Sequence, residues 1–136
     1  MADLSQSAEN ETAVRALIED WAAAVRRKDL PAILAHHSQD FLMFDVPPPF
    51  SSKGIAEYRS TWNTFYSAAT DPVVFAIDKM EVTAGGDIAF ATAFMHCRHF
   101  ADGIATDLDF RLTVCLRKIA GQWTIVHEHH SIPATE

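Results

Sequence analysis

The first half of the chain carries apolar residues at helical spacing. The stripe comprises Val14, Leu17, Ile18, Trp21 and Val25. Residues three or four positions apart share one face of a helix, so this pattern predicts a long amphipathic helix with a single apolar side. Ser7 and Asn10 are candidate N-caps, and residues 1–8 are predicted to form a flexible tail.

Two more helices are predicted before residue 70. Asp29 followed by Pro31 is typical of a helix start, because Asp caps the first turn and Pro fits within it. Ser51 and Ser52 offer a cap for a third helix. The apolar stripe of this third helix comprises Ile55, Tyr58, Trp62 and Phe65. Between these helices, Phe41–Asp45 is a short apolar run stopped by three prolines, which predicts a brief strand entering a rigid loop.

Beyond residue 72 the apolar positions follow a period of two. Four strands are predicted, over Val73–Val82, Ile88–Phe100, Thr106–Lys118 and Trp123–Ser131. Turns at 85–86, 101–103 and 120–121 separate them, so the strands should form an antiparallel meander. The alternation slips near Asp78, which indicates a β-bulge. Helices followed by strands predict an α+β fold, in which a curled sheet holds helices on its concave side and encloses a pocket.

Composition and charge limit the function classes. The 136 residues predict one domain over 1–136, and 11 basic against 18 acidic residues give a net charge of −7. We therefore expect no nucleic-acid partner and no binding to anionic membranes. The longest uncharged apolar stretch, 88–95, is too short to cross a bilayer, and the first residues do not resemble a secretory signal. Cys97 and Cys115 form no C-x-x-C motif and are expected as buried thiols in a reducing cytoplasm.

Segments along nearly the whole chain resemble the nuclear-transport-factor-2-like (NTF2-like) superfamily, in its SnoaL-like and ketosteroid-isomerase-like branch. The segments are Trp21–Leu30, Phe41–Asp45, Lys53–Tyr58 and Gly121–Ser131. The closing G-x-W-x-I-x-H-x-H-x-S pattern is the most specific, and it is also similar to the end of the association domain of the calcium/calmodulin-dependent kinase. The resemblance implies a cone, in which a curved antiparallel sheet wraps around three N-terminal helices and an interior pocket. It leaves function open, because this fold hosts isomerases, dehydratases, cyclases, hydrolases and non-catalytic oligomerisation modules.

Asp45 is the candidate general base. It ends the predicted short strand between Phe44 and Val46, and such apolar surroundings suit a carboxylate to proton abstraction. The resemblance places Asp45 where ketosteroid isomerases carry their base. The competing interpretation is a polar entry to the loop or a cap for the third helix.

The last predicted strand contains a run of four polar residues, His127 to His130. Because strand side chains alternate, Glu128 and His130 share one face, and His127 and His129 share the other. Similarity to the kinase association domain implies that Glu128 and His130 face the pocket, where Glu128 would fix the tautomer of His130 and His130 would act as the acid. A metal on His127 and His129 is a weaker alternative without an obvious third ligand, so no metal is expected. A polar strand at a dimer interface is the other alternative.

Further pocket residues are expected on the helices and the inner strand faces. Tyr58 is a candidate to donate a hydrogen bond to a substrate carbonyl or leaving group. The resemblance places Trp21 where those isomerases carry a tyrosine in the oxyanion hole, but an indole N–H is no acid, which departs from the steroid isomerases. For both residues core packing is the alternative. The remaining expected lining residues are Trp62, Met95, Phe110, Leu112 and Val114.

These residues favour a small acid–base enzyme that isomerises, dehydrates or cyclises an apolar hydroxy-ketone or polyketide-like molecule. No Gly-rich phosphate loop is present, so no cofactor is expected. The alternative is a non-catalytic domain for small-molecule binding or oligomerisation. A homodimer is expected through the outer sheet face, because that face mixes apolar residues with His96 and Arg98.

Overall fold

The computed structural model describes residues 4–68, 72–101 and 104–134. Its helices are α1 (Leu4–Arg27), α2 (Leu30–Leu34) and α3 (Gly54–Ala68). Its strands are β1 (His37–Phe44), β2 (Ser52–Lys53), β3 (Phe75–Ala84), β4 (Ile88–Ala101), β5 (Ile104–Ile119) and β6 (Gln122–Ser131). The mixture and order of these elements confirm the predicted α+β class. Residues 1–3 of the predicted tail and residues 102–103 of the predicted turn lie outside the described residues.

The described strands form one six-stranded sheet in the order β2-β1-β6-β5-β4-β3. The four strands from β3 to β6 pair antiparallel, which confirms the predicted meander. β1 pairs in parallel with β6 and is the exception to the predicted antiparallel sheet, while β2 pairs antiparallel with β1 at the edge. A parallel pair requires a long crossover, and the chain makes it through α3 and three further strands. The last strand in the chain therefore lies inside the sheet.

Register irregularities bend the described sheet at three places. The register shifts between Ile77 and Lys79 on β3, which confirms the bulge predicted near Asp78. Cys115 pairs with His127 and Leu116 with Ile125, so Val126 is an extra residue on β6. The third shift lies between His37 and Leu42 on β1. A bulge places an extra residue on one strand and increases the local twist. The long strands therefore curl, and the inner face of the sheet is concave towards the helices.

Helix α1 fills the concave face with its apolar stripe and packs mainly on β3. The buried residues of this stripe are Val14, Ile18, Trp21 and Val25. Each large apolar side chain removed from water contributes about 1.5–3 kcal/mol, so this stripe is a main source of stability. No helix in the described part of the chain is both long and apolar enough to span a membrane.

Two short connections direct the chain towards β1 and α3. Asp29 caps α2 as predicted, because its carboxylate accepts a hydrogen bond from the Ala32 N–H at 3.2 Å. Gly54 joins β2 to α3 with a φ of +84°, a left-handed conformation that favours glycine. The Lys53 N–H donates to the Glu57 carboxylate at 2.9 Å, which satisfies a backbone donor at the start of α3. Helix α3 then packs on β1.

The main differences from the sequence-based boundaries lie in α1, β1 and β2, whereas the boundaries of the four later strands differ by at most two residues. Helix α1 begins at Leu4, inside the segment expected as a tail, and Asn10 lies within the helix, where its side-chain amide donates to the Gly85 carbonyl at 2.9 Å. That bond attaches the helix to the β3–β4 hairpin. β1 begins at His37, because pairing with β6 extends the strand beyond its apolar run. Ser52 lies in β2 instead of capping α3.

Candidate functional site

A cavity of about 1010 Å³ opens between α3, the loop that follows β1, and the ends of β3 to β6. Its apolar wall comprises Met43, Trp62, Phe65, Phe75, Leu108 and Phe110. A concave, mostly apolar site of this size suits a drug-sized molecule. The interior pocket expected from the fold is therefore present at one end of the cone.

The polar wall of the cavity is acidic and rich in hydroxyl groups. The hydroxyl groups of α3 come from Ser60, Thr61, Thr64 and Ser67. The ionisable residues are Asp45, Glu57, Cys97 and His130, and no lysine or arginine occurs among the described lining residues. Burial raises the pKa of Cys97 to about 11, so this thiol is neutral at pH 7. The charged groups of the wall are thus two carboxylates and one imidazole.

Asp45 and His130 meet at the wall of the cavity. The Oδ1 atom of Asp45 lies 3.6 Å from the Nδ1 atom of His130. The Asp45 side chain is 24% exposed, and its Oδ1 also accepts a hydrogen bond from the Val46 N–H at 2.8 Å. The imidazole of His130 stacks on the ring of Phe110, with the planes 14° apart and the centroids 5.4 Å apart. These contacts hold the two polar groups side by side, open to a ligand.

Glu128 lies behind His130 and is fully buried. Its Oε1 atom is 2.9 Å from Nε2 of His130, and its Oε2 atom is 2.7 Å from Nε2 of His37 and 2.9 Å from the Tyr58 hydroxyl. Burial opposes ionisation, but the hydrogen bonds from His130 and His37 outweigh it and lower the pKa of Glu128 to about 2. Glu128 is therefore a carboxylate that accepts three hydrogen bonds.

The protons of His130 follow from these partners. A carboxylate only accepts, so Nε2 of His130 carries the proton that it shares with Glu128. The second nitrogen, Nδ1, is the one that faces Asp45. Burial lowers the pKa of His130, but Glu128 and then Asp45 favour the imidazolium more strongly, and the net direction is upward. Nδ1 is thus the atom at which this residue gains and loses a proton.

Tyr58 belongs to the same network but not to the cavity wall. It is fully buried, its hydroxyl accepts a hydrogen bond from the Trp21 indole at 3.0 Å, and it donates to Glu128. Burial, followed by the charge of Glu128, raises the pKa of Tyr58 well above its usual value, so it remains a hydroxyl donor. Tyr58 is therefore not among the described lining residues of the cavity, because α3 directs its hydroxyl onto Glu128.

The expected lining residues divide into two groups. Trp62 and Phe110 line the cavity. The residues placed in the core instead are Trp21, Met95, Leu112 and Val114, all of which are buried. The alternation of the strands placed the last three correctly on the inner face, but there they are packed in the hydrophobic core. The described lining residues of the sheet lie nearer to its open end.

His37 is the residue of this network that the sequence pattern did not indicate. It lies at the start of β1, in a polar stretch before the apolar run, and its side chain is fully buried. Strand alternation did not indicate it, because Gln39, between His37 and Phe41, is exposed and the register with β6 shifts between His37 and Leu42. The parallel pairing of β1 with β6 brings it to Glu128.

The other histidines of the last strand lie on the outer face of the sheet, as the alternation predicted. Their rings are 6.2 Å apart, and Nδ1 of His127 lies 2.7 Å from the Leu42 carbonyl. His129 is exposed. Within the described part of the chain, no group of three or more His, Cys, Asp or Glu side chains is arranged to hold a metal ion.

A family model for the SnoaL-like domain matches residues 14–135. The chain belongs to the SnoaL-like domain family. A search among curated proteins finds no match for this SnoaL-like domain. The family and the fold are therefore established, while the reaction must be inferred from the residues.

Solved structures confirm the NTF2-like fold of this SnoaL-like domain. An NTF2-like protein of unknown function from Pseudomonas putida KT2440 is 35% identical with a TM-score of 0.85, over 93% of this chain and 89% of that one. A ketosteroid isomerase-like protein from Erwinia carotovora atroseptica SCRI1043 is 21% identical with a TM-score of 0.77, over 90% and 95%. An NTF2-like superfamily protein from Salmonella enterica serovar Typhimurium is 17% identical with a TM-score of 0.78, over 92% of each chain. The last two show the fold alone.

Proposed function

We propose that this SnoaL-like domain is a cofactor-independent acid–base enzyme. It isomerises, dehydrates or cyclises an apolar hydroxy-ketone or polyketide-like molecule. The observation that carries this proposal is the pair formed by Asp45 and His130, 3.6 Å apart at the wall of a large apolar cavity. A base and an acid held together next to a ligand are what proton transfer at a carbon beside a carbonyl requires.

In the proposed reaction Asp45 is the base and His130 the acid. The Asp45 carboxylate takes a proton from the carbon next to the substrate carbonyl, and the electron pair of that C–H bond moves into an enol. His130 gives its Nδ1 proton to the carbonyl or leaving-group oxygen. Glu128 and Asp45 both raise the pKa of His130, which keeps the imidazolium available as an acid near neutral pH. Asp45 then delivers its proton to a different carbon of the enol system, and the enol oxygen returns its proton to His130, which completes an isomerisation.

The cavity wall favours an uncharged substrate. Asp45 and Glu57 are negative at pH 7, and no lysine or arginine among the described lining residues would pair with an anionic ligand. An anionic molecule would meet these two carboxylates, and the one imidazole of the described wall, His130, already faces Asp45, so its entry is costly. A neutral molecule with apolar rings matches the aromatic wall and meets the hydroxyl groups of α3.

A non-catalytic ligand-binding or oligomerisation domain is the second candidate. The same 3.6 Å contact favours this candidate in one case. In that case Asp45 and His130 neutralise each other as an ion pair and take no proton from a ligand. Exposed apolar residues on the outer sheet face support the homodimer that both candidates share. Phe90 is 47% and Phe94 57% exposed there. The free Cys97 and Cys115 support a reducing compartment, and we propose the cytoplasm.

Proton exchange into a bound ketone separates the two candidates. A panel of apolar ketones is ranked by the rise in melting temperature, and the exchange of α-protons in the best ligand is followed by NMR in D₂O. We expect wild type to catalyse the exchange, and Asp45→Asn and His130→Ala to reduce it by about 100-fold or more. Glu81→Gln, at an exposed carboxylate of β3 that is not among the described lining residues, serves as the control with unchanged exchange. Ligand binding without exchange in wild type would contradict the enzyme and support the binding domain.

A further inference from the structure

The His37 side chain is buried beneath the candidate site, and each of its two ring nitrogens faces a hydrogen-bond acceptor. Its Nδ1 atom lies 3.0 Å from the Ala35 carbonyl oxygen, and its Nε2 atom lies 2.7 Å from Oε2 of Glu128. A carbonyl oxygen only accepts hydrogen bonds, so Nδ1 carries a proton. Glu128 is ionised and also only accepts, so Nε2 carries a proton as well. With both nitrogens protonated, His37 is an imidazolium.

Glu128 is thereby shared between two imidazoles of different accessibility. The first is His37, whose side chain has no contact with solvent. The second is His130, which lines the cavity. One buried positive charge and one buried negative charge form a neutral pair, so the site does not depend on His130 to balance Glu128. His130 can then lose its Nδ1 proton without leaving an unpaired buried carboxylate.

We infer that His37 is a positioning residue. Its positive charge neutralises the Glu128 carboxylate, so that His130 can exchange a proton at Nδ1. His37 acts through Glu128 and does not touch the cavity where the ligand would bind. Its consequence for catalysis rests on the proposed function, but the protonation state itself does not.

The other ionisable groups around the two histidines come from α3, β4, β6 and the start of the loop after β1. Arg59 of α3 lines a smaller pocket, of about 320 Å³, together with His37. Glu128 lies on β6 between them, and Tyr58 of α3 donates its hydroxyl to the same Oε2 atom. Asp45, at the end of β1, faces His130 at 3.6 Å. Cys97 of β4 lines the same cavity as a neutral thiol. Among the groups that these contacts identify, His37 is therefore the cation that offsets Glu128 whether or not His130 is protonated.

The test is the protonation of each histidine, followed by NMR on protein labelled with ¹⁵N in its imidazole rings. In wild type we expect both ring nitrogens of His37 to carry a proton, because each of them faces an acceptor. In His37→Gln the amide can still donate to Glu128 but carries no charge, so the pKa of His130 should rise. His129→Gln, which removes an exposed histidine from the outer face of the same strand, should leave it unchanged.

Two results would overturn the inference: a neutral His37 ring at pH 7 in wild type, or an unchanged midpoint for His130 in His37→Gln. If His37→Gln does not fold, the wild-type ring signals decide alone. The experiment uses no substrate, so it stands apart from the ketone assay. A protonated His37 in a protein that exchanges no ketone proton would sustain this inference and reject the proposed enzyme.

Discussion

Replacement of Glu128 by glutamine should destabilise the protein by several kcal/mol. The carboxylate accepts hydrogen bonds from His37, Tyr58 and His130 within 2.9 Å. A glutamine side chain keeps the shape, but it offers one accepting oxygen, and its amide group turns a donor towards one of these three donors. Glu128→Gln also leaves His37 without a counter-charge in a site closed to solvent.

The magnitude follows from the pKa of Glu128. A folded-state pKa of about 2, against an ordinary value of 4.5, corresponds to about 3 kcal/mol of stability at pH 7. Removal of one partner from a buried ion pair typically costs about 3–5 kcal/mol, which is the same range. Glu128 is fully buried, so solvent screening does not reduce this figure.

The dependence on pH has a definite sign. Because folding lowers the pKa of Glu128, the stabilisation is complete above the unfolded value of 4.5 and is lost as the pH falls through about 2. The part of the difference in unfolding free energy between wild type and Glu128→Gln that comes from the ionisation of Glu128 itself should therefore be constant from pH 7 to about pH 5. By pH 3 about half of it should be gone.

Urea unfolding followed by tryptophan fluorescence at several pH values measures this difference. Glu81→Gln is the matched control, because Glu81 is exposed and its contact with Lys79 spans 3.8 Å, so it should change stability by less than about 1 kcal/mol. A Glu128→Gln variant within 1 kcal/mol of wild type at pH 7 would refute the charge network. So would a deficit that stays constant down to pH 3.

Two further predictions concern assembly and metal content. Sedimentation at micromolar concentration should show a dimer for wild type. It should show a monomer for Phe94→Asp, because this substitution places a charge on the exposed outer face of the sheet. A strictly monomeric wild type would reject the dimer. Purified protein should contain no stoichiometric zinc, and a chelator should leave the melting temperature unchanged, because His127 and His129 lack a third ligand among the described residues. Stoichiometric zinc together with a melting temperature lowered by the chelator would contradict the second prediction.

Strand alternation was the most informative part of the sequence for the site. It separated Glu128 and His130 from His127 and His129 without any structure, and the burial of the first pair agrees with it. The slip at Asp78 located a bulge for the same reason, because one inserted residue shifts the alternation of the side chains that follow it. Short-range patterns of this kind can be read from a sequence, because the polarity of each residue indicates which face of the strand it occupies.

Long-range placement was less accessible. Nothing in the pattern of Met95, Leu112 and Val114 shows how far α1 extends over the inner face, so their assignment to the cavity wall could not be separated from an assignment to the core. His37 joins the network through parallel pairing between segments about ninety residues apart. Local hydrophobicity carries no information on such a pairing. The residues around His37 are polar, so the apolar pattern did not indicate that the strand begins there.

The position of β6 in the sheet has a consequence for how the protein folds. β6 follows all other described strands in the chain, yet it lies between β1 and β5. Until it inserts, both neighbours present open edges of unpaired backbone groups, which are templates for association with other chains. Such distant pairing also makes folding slow, because a long loop must close before the contacts form. Glu128 and His130 belong to this last described strand, so the contacts of the candidate site form only once β6 has inserted between β1 and β5.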